Sequence, residues 1–390
     1  MRYRHLVVLI ASIAGIACLL SASAGASVYR WGLGVAAPRP VPNLGAPTLI
    51  DAGNADGYAI EPGGTVEAWG SGKDGALGDG RLGRSEAAVT VGLPAGVKAV
   101  SLGEAERSGF AVTSTGTVYD WGDNKNGDLC QGVENINLKT PEKIAGLTEV
   151  VAVQGAEHNV MFLLADGQVK VCGWNNKGQI GLGEKVEVGV PTLVPGLSYA
   201  VEISAGPKVS TVRLQDGEVL TAGSNVHAQL GLGQGIHRAN TFTRVPLPGP
   251  ASEISVGGDG NENSHSLALV EGVPYGWGFD EGGEIGDGSE APKYTPVVAS
   301  ELAAYDFTTV RAGGHSSCGL ALGNVYCWGE TENHWEAGGE EEGEEGGEGG
   351  EGEEEEGGEE GTGSHTFAPH LVDTGVAEIS VTARNFVDRH

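Results

Sequence analysis

Polar and apolar positions along this chain repeat in a fixed order. Short apolar runs alternate with Gly-, Asp- and Asn-rich punctuation, and no stretch beyond the N-terminal segment carries a 3.6-residue apolar period. Pro141 to Gly183 shows the grammar. Pro141, Ile144 and Leu147 lead into the run Val150–Val153, followed by Gly155 and His158. Then come Val160–Leu164, an Asp166-Gly167 turn, Val169–Gly173 and the segment NNKGQIGLG. Two β-rich runs flanking Asp-Gly predict a tight hairpin. The turn returns at Asp216-Gly217, and in weaker form at Gly63-Gly64, Thr115-Gly116, Glu271-Gly272 and Gly323-Asn324.

The strand after the turn is the clearest recurrence: VEAWG, VYDWG, VKVCG, VLTAG, VPYGWG and VYCWG, with a lone VYRWG at Val28–Gly32. From Gly70 onward the closing glycines are 122, 173, 223, 278 and 329, so the steps are 52, 51, 50, 55 and 51 residues. Four short strands in a unit of roughly 40–50 residues describe a propeller blade. First-strand segments begin near residues 50, 99, 150, 202, 253, 309 and 378, and WG-type strands also number seven. The two sets are offset, with an orphan WG strand at the start and an orphan first half, Leu371–Val387, at the end. The expectation is an all-β, seven-bladed propeller spanning 28–390 whose termini share one blade, an arrangement that removes free sheet edges.

The order P-x-x-[VI]-x-x-L, G-x-x-H-S-x-A-L, D-G-x-V-x-x-W-G, N-x-x-G-Q-L-G-x-G resembles the RCC1 (regulator of chromosome condensation) repeat. His315-Ser316, His265-Ser266 and Asn175–Gly183 carry the resemblance most clearly. It covers the chain from about residue 28 to 390, and it implies a seven-bladed propeller closed by a shared blade.

Residues 1–24 read as a secretory signal. Arg2 and Arg4 precede an apolar Leu6–Leu20, and Ala22-Ser23-Ala24 or Ala24-Gly25-Ala26 offers a cleavage site. The expected location is secreted or extracytoplasmic, with no membrane span after cleavage. The chain holds 23 basic against 52 acidic residues, a net charge of −29. Fourteen Glu lie between Glu336 and Gly361, so about half the excess is local. This Glu/Gly-rich insertion, residues 336–363, is expected to be a solvated, disordered spacer in an interblade loop. The remaining −15 still repels nucleic acid phosphates and favours a soluble monomer.

Four cysteines follow the leader. Cys318 and Cys327 fall opposite each other across one predicted hairpin, which predicts a disulfide in an exported chain. Cys172 occupies a WG slot and reads as core; Cys130 reads as a free thiol. No C-x-x-C spacing suggests a metal.

Candidate chemistry is sparse. His158, His265 and His315 share a repeat slot, but Asp56, Arg107 and Val209 stand near it elsewhere, so no metal ring closes; each His is expected to satisfy backbone groups of a turn. Gly231-Leu232-Gly233 lacks the Lys and helix of a phosphate loop. Asp79 and Asp287 sit in G-D-G turns without an EF-hand pattern, and no G-x-S-x-G elbow appears. No cofactor, metal or catalytic residue is expected. Trp31, Trp69, Trp121, Trp277 and Trp328 fill the WG slot and read as packing. The off-slot aromatics Trp174, Tyr199, Tyr294, Tyr305 and Trp335 are the candidate partner-binding residues.

These readings favour a non-enzymatic propeller that binds a protein or a cell-surface polymer through loops on one face. Two alternatives stand behind it. One is a secreted inhibitor similar to beta-lactamase inhibitor protein II, which shares the repeat but grips its target with aromatic-rich loops that this chain largely lacks. The other is the guanine-nucleotide exchange and chromatin binding of the family's namesake, which the leader and the acidic balance oppose. Fold alone does not choose among them.

Overall fold

A computed structural model describes residues 28–32, 35–52, 55–105, 107–125, 127–132, 136–184, 187–259, 262–330, 365–374, 378–381 and 385–389. The leader, Trp335 and the insertion 336–363 lie outside them. Strand β1 is Val28–Gly32 and β2 is Val35–Pro40. Blade 1 contains β3 (Leu49–Ala52), β4 (Asp56–Ile60), β5 (Val66–Gly70) and β6 (Ser85–Thr90). Blade 2 contains β7 (Ala99–Ala105), β8 (Ser108–Thr113), β9 (Val118–Gly122) and β10 (Leu138–Lys143). Blade 3 contains β11 (Val150–Ala156), β12 (Asn159–Leu164), β13 (Val169–Gly173) and β14 (Val188–Leu193). Blade 4 contains β15 (Ala200–Gly206), β16 (Val209–Leu214), β17 (Val219–Ser224) and β18 (Arg238–Arg244). Blade 5 contains β19 (Glu253–Gly258), β20 (Ser264–Val270), β21 (Val273–Gly278) and β22 (Lys293–Val298). Blade 6 contains β23 (Thr309–Ala312), β24 (Ser316–Ala321), β25 (Asn324–Glu330) and β26 (His365–Thr374). Last come β27 (Glu378–Val381) and β28 (Asn385–Arg389).

The expectation of seven like blades with a blade shared by the termini is corrected here to six repeat blades. Each of the six is one continuous stretch of four antiparallel strands paired in chain order. Neither end of the chain carries such a four-strand unit. The terminal strands instead hydrogen-bond in a sheet of their own, ordered β2-β1-β28-β27, and most of its side chains lie outside the described residues. Val28 packs with Val41, Ile50, Ala52, Ala59 and Trp69.

The apolar cores lie at the seams between blades, because each short sheet has two faces to cover. At the first seam Tyr58, Ile60, Val66 and Leu77 of blade 1 meet Ala99, Leu102, Ala111 and Trp121 of blade 2. First strands of successive blades pack on each other: β7 on β11, β11 on β15, β15 on β19 and β19 on β23. Carboxylates and hydroxyls on them tie the blades together. Ile254 N–H donates to Glu202 at 3.3 Å, Val310 N–H to Glu253 at 2.9 Å, and Val256 and Ala312 N–H to Ser204 and Ser255, each at 3.0 Å.

Strand alternation defines two faces. The hairpin face carries the turns between second and third strands and the links between blades. The loop face carries the turns between first and second strands and the long loops between third and fourth. The Glu/Gly-rich insertion falls between β25 and β26, which pair with each other. The chain on either side of it thus belongs to blade 6, and the insertion itself lies outside the described residues. Among the described residues no helix is long and apolar enough to cross a membrane.

Candidate functional site

The long loops of the loop face are built by one residue each. Asn124, Asn175, Asn225 and Asp280 follow the WG strand, and each Oδ1 accepts the N–H five residues on: Leu129 at 3.1 Å, Ile180 at 3.2 Å, Leu230 at 2.8 Å and Ile285 at 2.9 Å. That bond buries the Leu or Ile and presents the backbone to the next blade. Trp121 Nε1 donates to Ala76 O at 2.8 Å, Trp277 Nε1 to Gln229 O at 3.1 Å, and Trp328 Nε1 to Glu284 O at 2.8 Å. The glycine two positions beyond the accepting carbonyl must stay bare, since a Cβ at Gly78 or Gly231 would lie 2.9 or 2.7 Å from the ring.

Two seams depart from this scheme: between blades 3 and 4 Ala222 stands in the Trp slot and the Phe242 ring covers Gly181 instead. Between blades 2 and 3, Cys130 stands in the bare-glycine slot and Cys172 in the Trp slot, and the two are joined, with Cα atoms 5.8 Å apart. Cys130 is thus not the free thiol expected from its position after a turn. Its partner lies 42 residues away on the neighbouring blade, a pairing that inspection of single hairpins misses. Cys318 and Cys327 stand opposite each other in β24 and β25, with sulfurs at bonding distance, 2.00 Å.

Asp280 replaces the repeat's Asn in blade 5. Its Oδ2 lies 3.1 Å from Lys293 Nζ, yet burial pushes its pKa up to about 7 against that contact and the Ile285 N–H bond. The folded chain therefore holds a proton that the unfolded chain releases, and stability falls as pH climbs from about 4 to about 7. Asp280→Asn keeps the Oδ1 acceptor and removes the charge. The gap between melts at about pH 5 and pH 8 is expected to narrow in the variant, with the gain at the higher pH bounded by about 4 kcal/mol. An unchanged gap would contradict the assignment.

Around the rim of the loop face, the position just before the second strand in four of the six blades holds Arg107, His158, Lys208 and His315, which meet acids supplied by the preceding blade. Arg107 lies 3.4 Å from Asp74, His158 Nδ1 3.3 Å from Asp128 and His315 Nε2 3.2 Å from Asp259, and Lys208 pairs with Glu157. The sequence reading places Arg107 near the histidine slot but takes Val209 for its blade 4 counterpart, so Lys208, one residue earlier, and the belt it completes emerge only when the strand register aligns them. The register also separates the histidines. Asn159, His265 and Ser316 are the residues opposite the closing glycines, so His265 stands one place later than His158 and His315. A one-residue offset moves a side chain to the other side of the strand. His265 is fully buried, its Nε2 is 2.8 Å from Ser317 Oγ, and burial lowers its pKa to about 4. The histidines thus meet side chains across seams, not turn backbone as expected. Among the described residues no group of three or more His, Cys, Asp or Glu is arranged to hold a metal.

The candidate aromatics do not converge. Trp174 is half-buried on the loop face, tilted against His158 at 4.3 Å with Lys208 Nζ 5.7 Å from its ring. Tyr305 packs against Tyr326 and Phe307 at 4.7 and 5.7 Å, so both rings are covered by seam neighbours. Tyr294 lies half-buried in β22, where its carbonyl accepts Gly233 N–H at 2.7 Å. Tyr199 alone among the described four is open, at 69% exposure, on the hairpin face. It borders a shallow depression of about 300 Å³ lined also by Leu214, Gln215 and Asp216. Leu322, at the tip of the β24–β25 hairpin, is 91% exposed.

The fold and this repeated seam define a β-propeller of RCC1-like repeats. The family model "Regulator of chromosome condensation (RCC1) repeat" matches residues 166–212, and the chain is similar to proteins built from that repeat. It is 27% identical over 224 residues to the human E3 ubiquitin-protein ligase HERC2, covering 56% of this chain and 4% of that protein. It is 27% identical over 280 residues to the Ultraviolet-B receptor UVR8 of Arabidopsis thaliana, covering 69% and 61%. To the secretion-regulating guanine nucleotide exchange factor of Bos taurus it is 26% identical over 259 residues, covering 59% and 53%. The chain therefore spans less than two thirds of these relatives. Yeast RCC1 (Prp20), in its crystal structure bound to Kap60, aligns with a TM-score of 0.76 at 20% identity over 93% of this chain and 88% of that one. Human WBSCR16 aligns at 0.75 and 16% identity over 93% and 98%. Likeness at these identities speaks for fold alone.

Proposed function

We propose that this chain is a non-enzymatic, extracytoplasmic binding propeller that recognises a protein or cell-surface polymer through its hairpin face. The observation that carries the reading is the open ring of Tyr199 beside a depression on the hairpin face; the loop face also exposes apolar side chains, at Leu82, Ile136 and Val226. On the loop face the rim cations are engaged with acids at the seams. On the hairpin face Tyr199 and Leu322 stand in solvent, and both hold a left-handed backbone, with φ of 62° and 52°. The signal-like leader and two cysteine pairs support an oxidising compartment. The net charge of −29 disfavours the nucleosome-binding reading, and the scarcity of open loop aromatics disfavours the inhibitor reading.

Affinity capture from the native extracellular fraction tests this, with wild-type chain and a Tyr199→Ala/Leu322→Asn variant as baits. Asn tolerates the left-handed turn, so the variant is expected to fold and to lose a partner that the wild type retains. Equal retention by both baits would remove the hairpin face from the proposal. A single stoichiometric enzyme among the captured proteins would favour inhibition instead.

A further inference from the structure

We infer that His315 is a proton-operated latch across the seam between blades 5 and 6. Its Nε2 lies 3.2 Å from Asp259 Oδ2, and its Nδ1 lies 3.6 Å from Glu284 Oε1 and 3.9 Å from Glu330 Oε2. Asp259 and Glu284 belong to blade 5; His315 and Glu330 belong to blade 6. A neutral imidazole has one N–H. Directed at Asp259, it leaves the Nδ1 lone pair facing two carboxylates, and directed at them it leaves Nε2 facing Asp259. A second proton turns either repulsion into attraction on both sides of the ring.

The surroundings favour that proton. Glu284 is fully buried; its Oε2 accepts Gly282 N–H at 2.9 Å, while its Oε1 makes no hydrogen bond and points to His315. The Phe279 ring stands edge-on to the imidazole at 6.0 Å and shields the pair from water on that side. His265, packed nearby, stays neutral and does not compete for the proton. The contact with Glu284, followed by Asp259 and Glu330, raises the His315 pKa above 6.5 despite partial burial. The same rim slot holds Arg107 and Lys208 at other seams, residue types with fixed charge near neutrality, whereas imidazole can release its own.

The sign follows from linkage. A histidine with a raised folded pKa contributes its full stability below 6.5 and loses it as pH rises through the folded value. Asp280 also weakens the fold as pH rises through about 7, but its contribution is common to the wild type and to His315→Gln, so the difference between the two proteins isolates His315.

The test combines an NMR titration of the His315 ring with thermal melts at about pH 7 and pH 9 of the full chain and of His315→Gln. The ring is expected to titrate above 6.5 and to move downward in Glu284→Gln. The wild type is expected to lose more melting temperature between the two pH values than His315→Gln. If His315→Gln does not fold, Asp259→Asn, which removes one rim carboxylate, gives the same comparison. A ring pKa at or below 6.5, or equal losses in wild type and variant, overturns the latch.

Discussion

Replacing Cys130 and Cys172 together with alanine will lower the unfolding free energy by about 3–4 kcal/mol, the scale set by closing a loop of several tens of residues. The cross-link spans 42 residues and joins two blades, so its loss frees the unfolded chain and loosens a seam at once. The repeat itself supplies a sharper test. Everywhere else described, a tryptophan or another ring lies over a bare glycine at this place; at the third seam Phe242 fills the role, only 2.4 Å from a Cβ built on Gly181. Cys130→Gly with Cys172→Trp restores the repeat's pair and should recover part of the loss. Cys172→Trp alone should be worse than the alanine pair, because the Cys130 side chain occupies the space the indole needs. With Cys130→Gly added, urea denaturation of the wild type, the two single variants and Cys130→Gly/Cys172→Trp forms a double-mutant cycle, and additive effects would show that the two positions are not coupled across the seam.

Trp121→Ala is the second large effect, expected to cost about 3–5 kcal/mol. The side chain is fully buried, donates to Ala76 O at 2.8 Å and meets Tyr58 edge-on at 5.8 Å. Gly109 on the adjacent strand has no room for even a methyl group, since a Cβ there would stand 2.4 Å from the indole. Gly109→Ala should therefore displace the ring and weaken the same seam. Trp121→Phe, which keeps a ring and loses the N–H, should fall between wild type and alanine. A loss below about 1 kcal/mol for Trp121→Ala would mean that the seams do not carry the stability ascribed to them.

Individual strands were legible because their period of two and their turns are local signals. The predicted Val66–Gly70, Val118–Gly122 and Val169–Gly173 coincide with β5, β9 and β13. What lay beyond reach connects residues a full repeat apart. The Cys130–Cys172 bond, the cation belt of the loop face and the bare glycines under Trp rings all cross seams, and a linear pattern does not say which residue of one repeat touches which of the next. The offset of His265 needed the hairpin register, since Ser264 ahead of it shifts the strand start by one residue. Trp174 and Tyr305 look alike to Tyr199 as loop aromatics; only packing separates two covered rings from one open ring. The blade count failed for a different reason. Counting half-repeats treats the orphan ends as a further copy, whereas repeat blades form where four strands follow one another in the chain.

The central claim is an exported propeller stapled across one seam, and peptide mass mapping of the native protein without reduction tests it most directly. The expected result is a chain beginning at Gly25 or Ser27, with Cys130 linked to Cys172 and Cys318 linked to Cys327. An intact leader on a chain whose four thiols are free would contradict it.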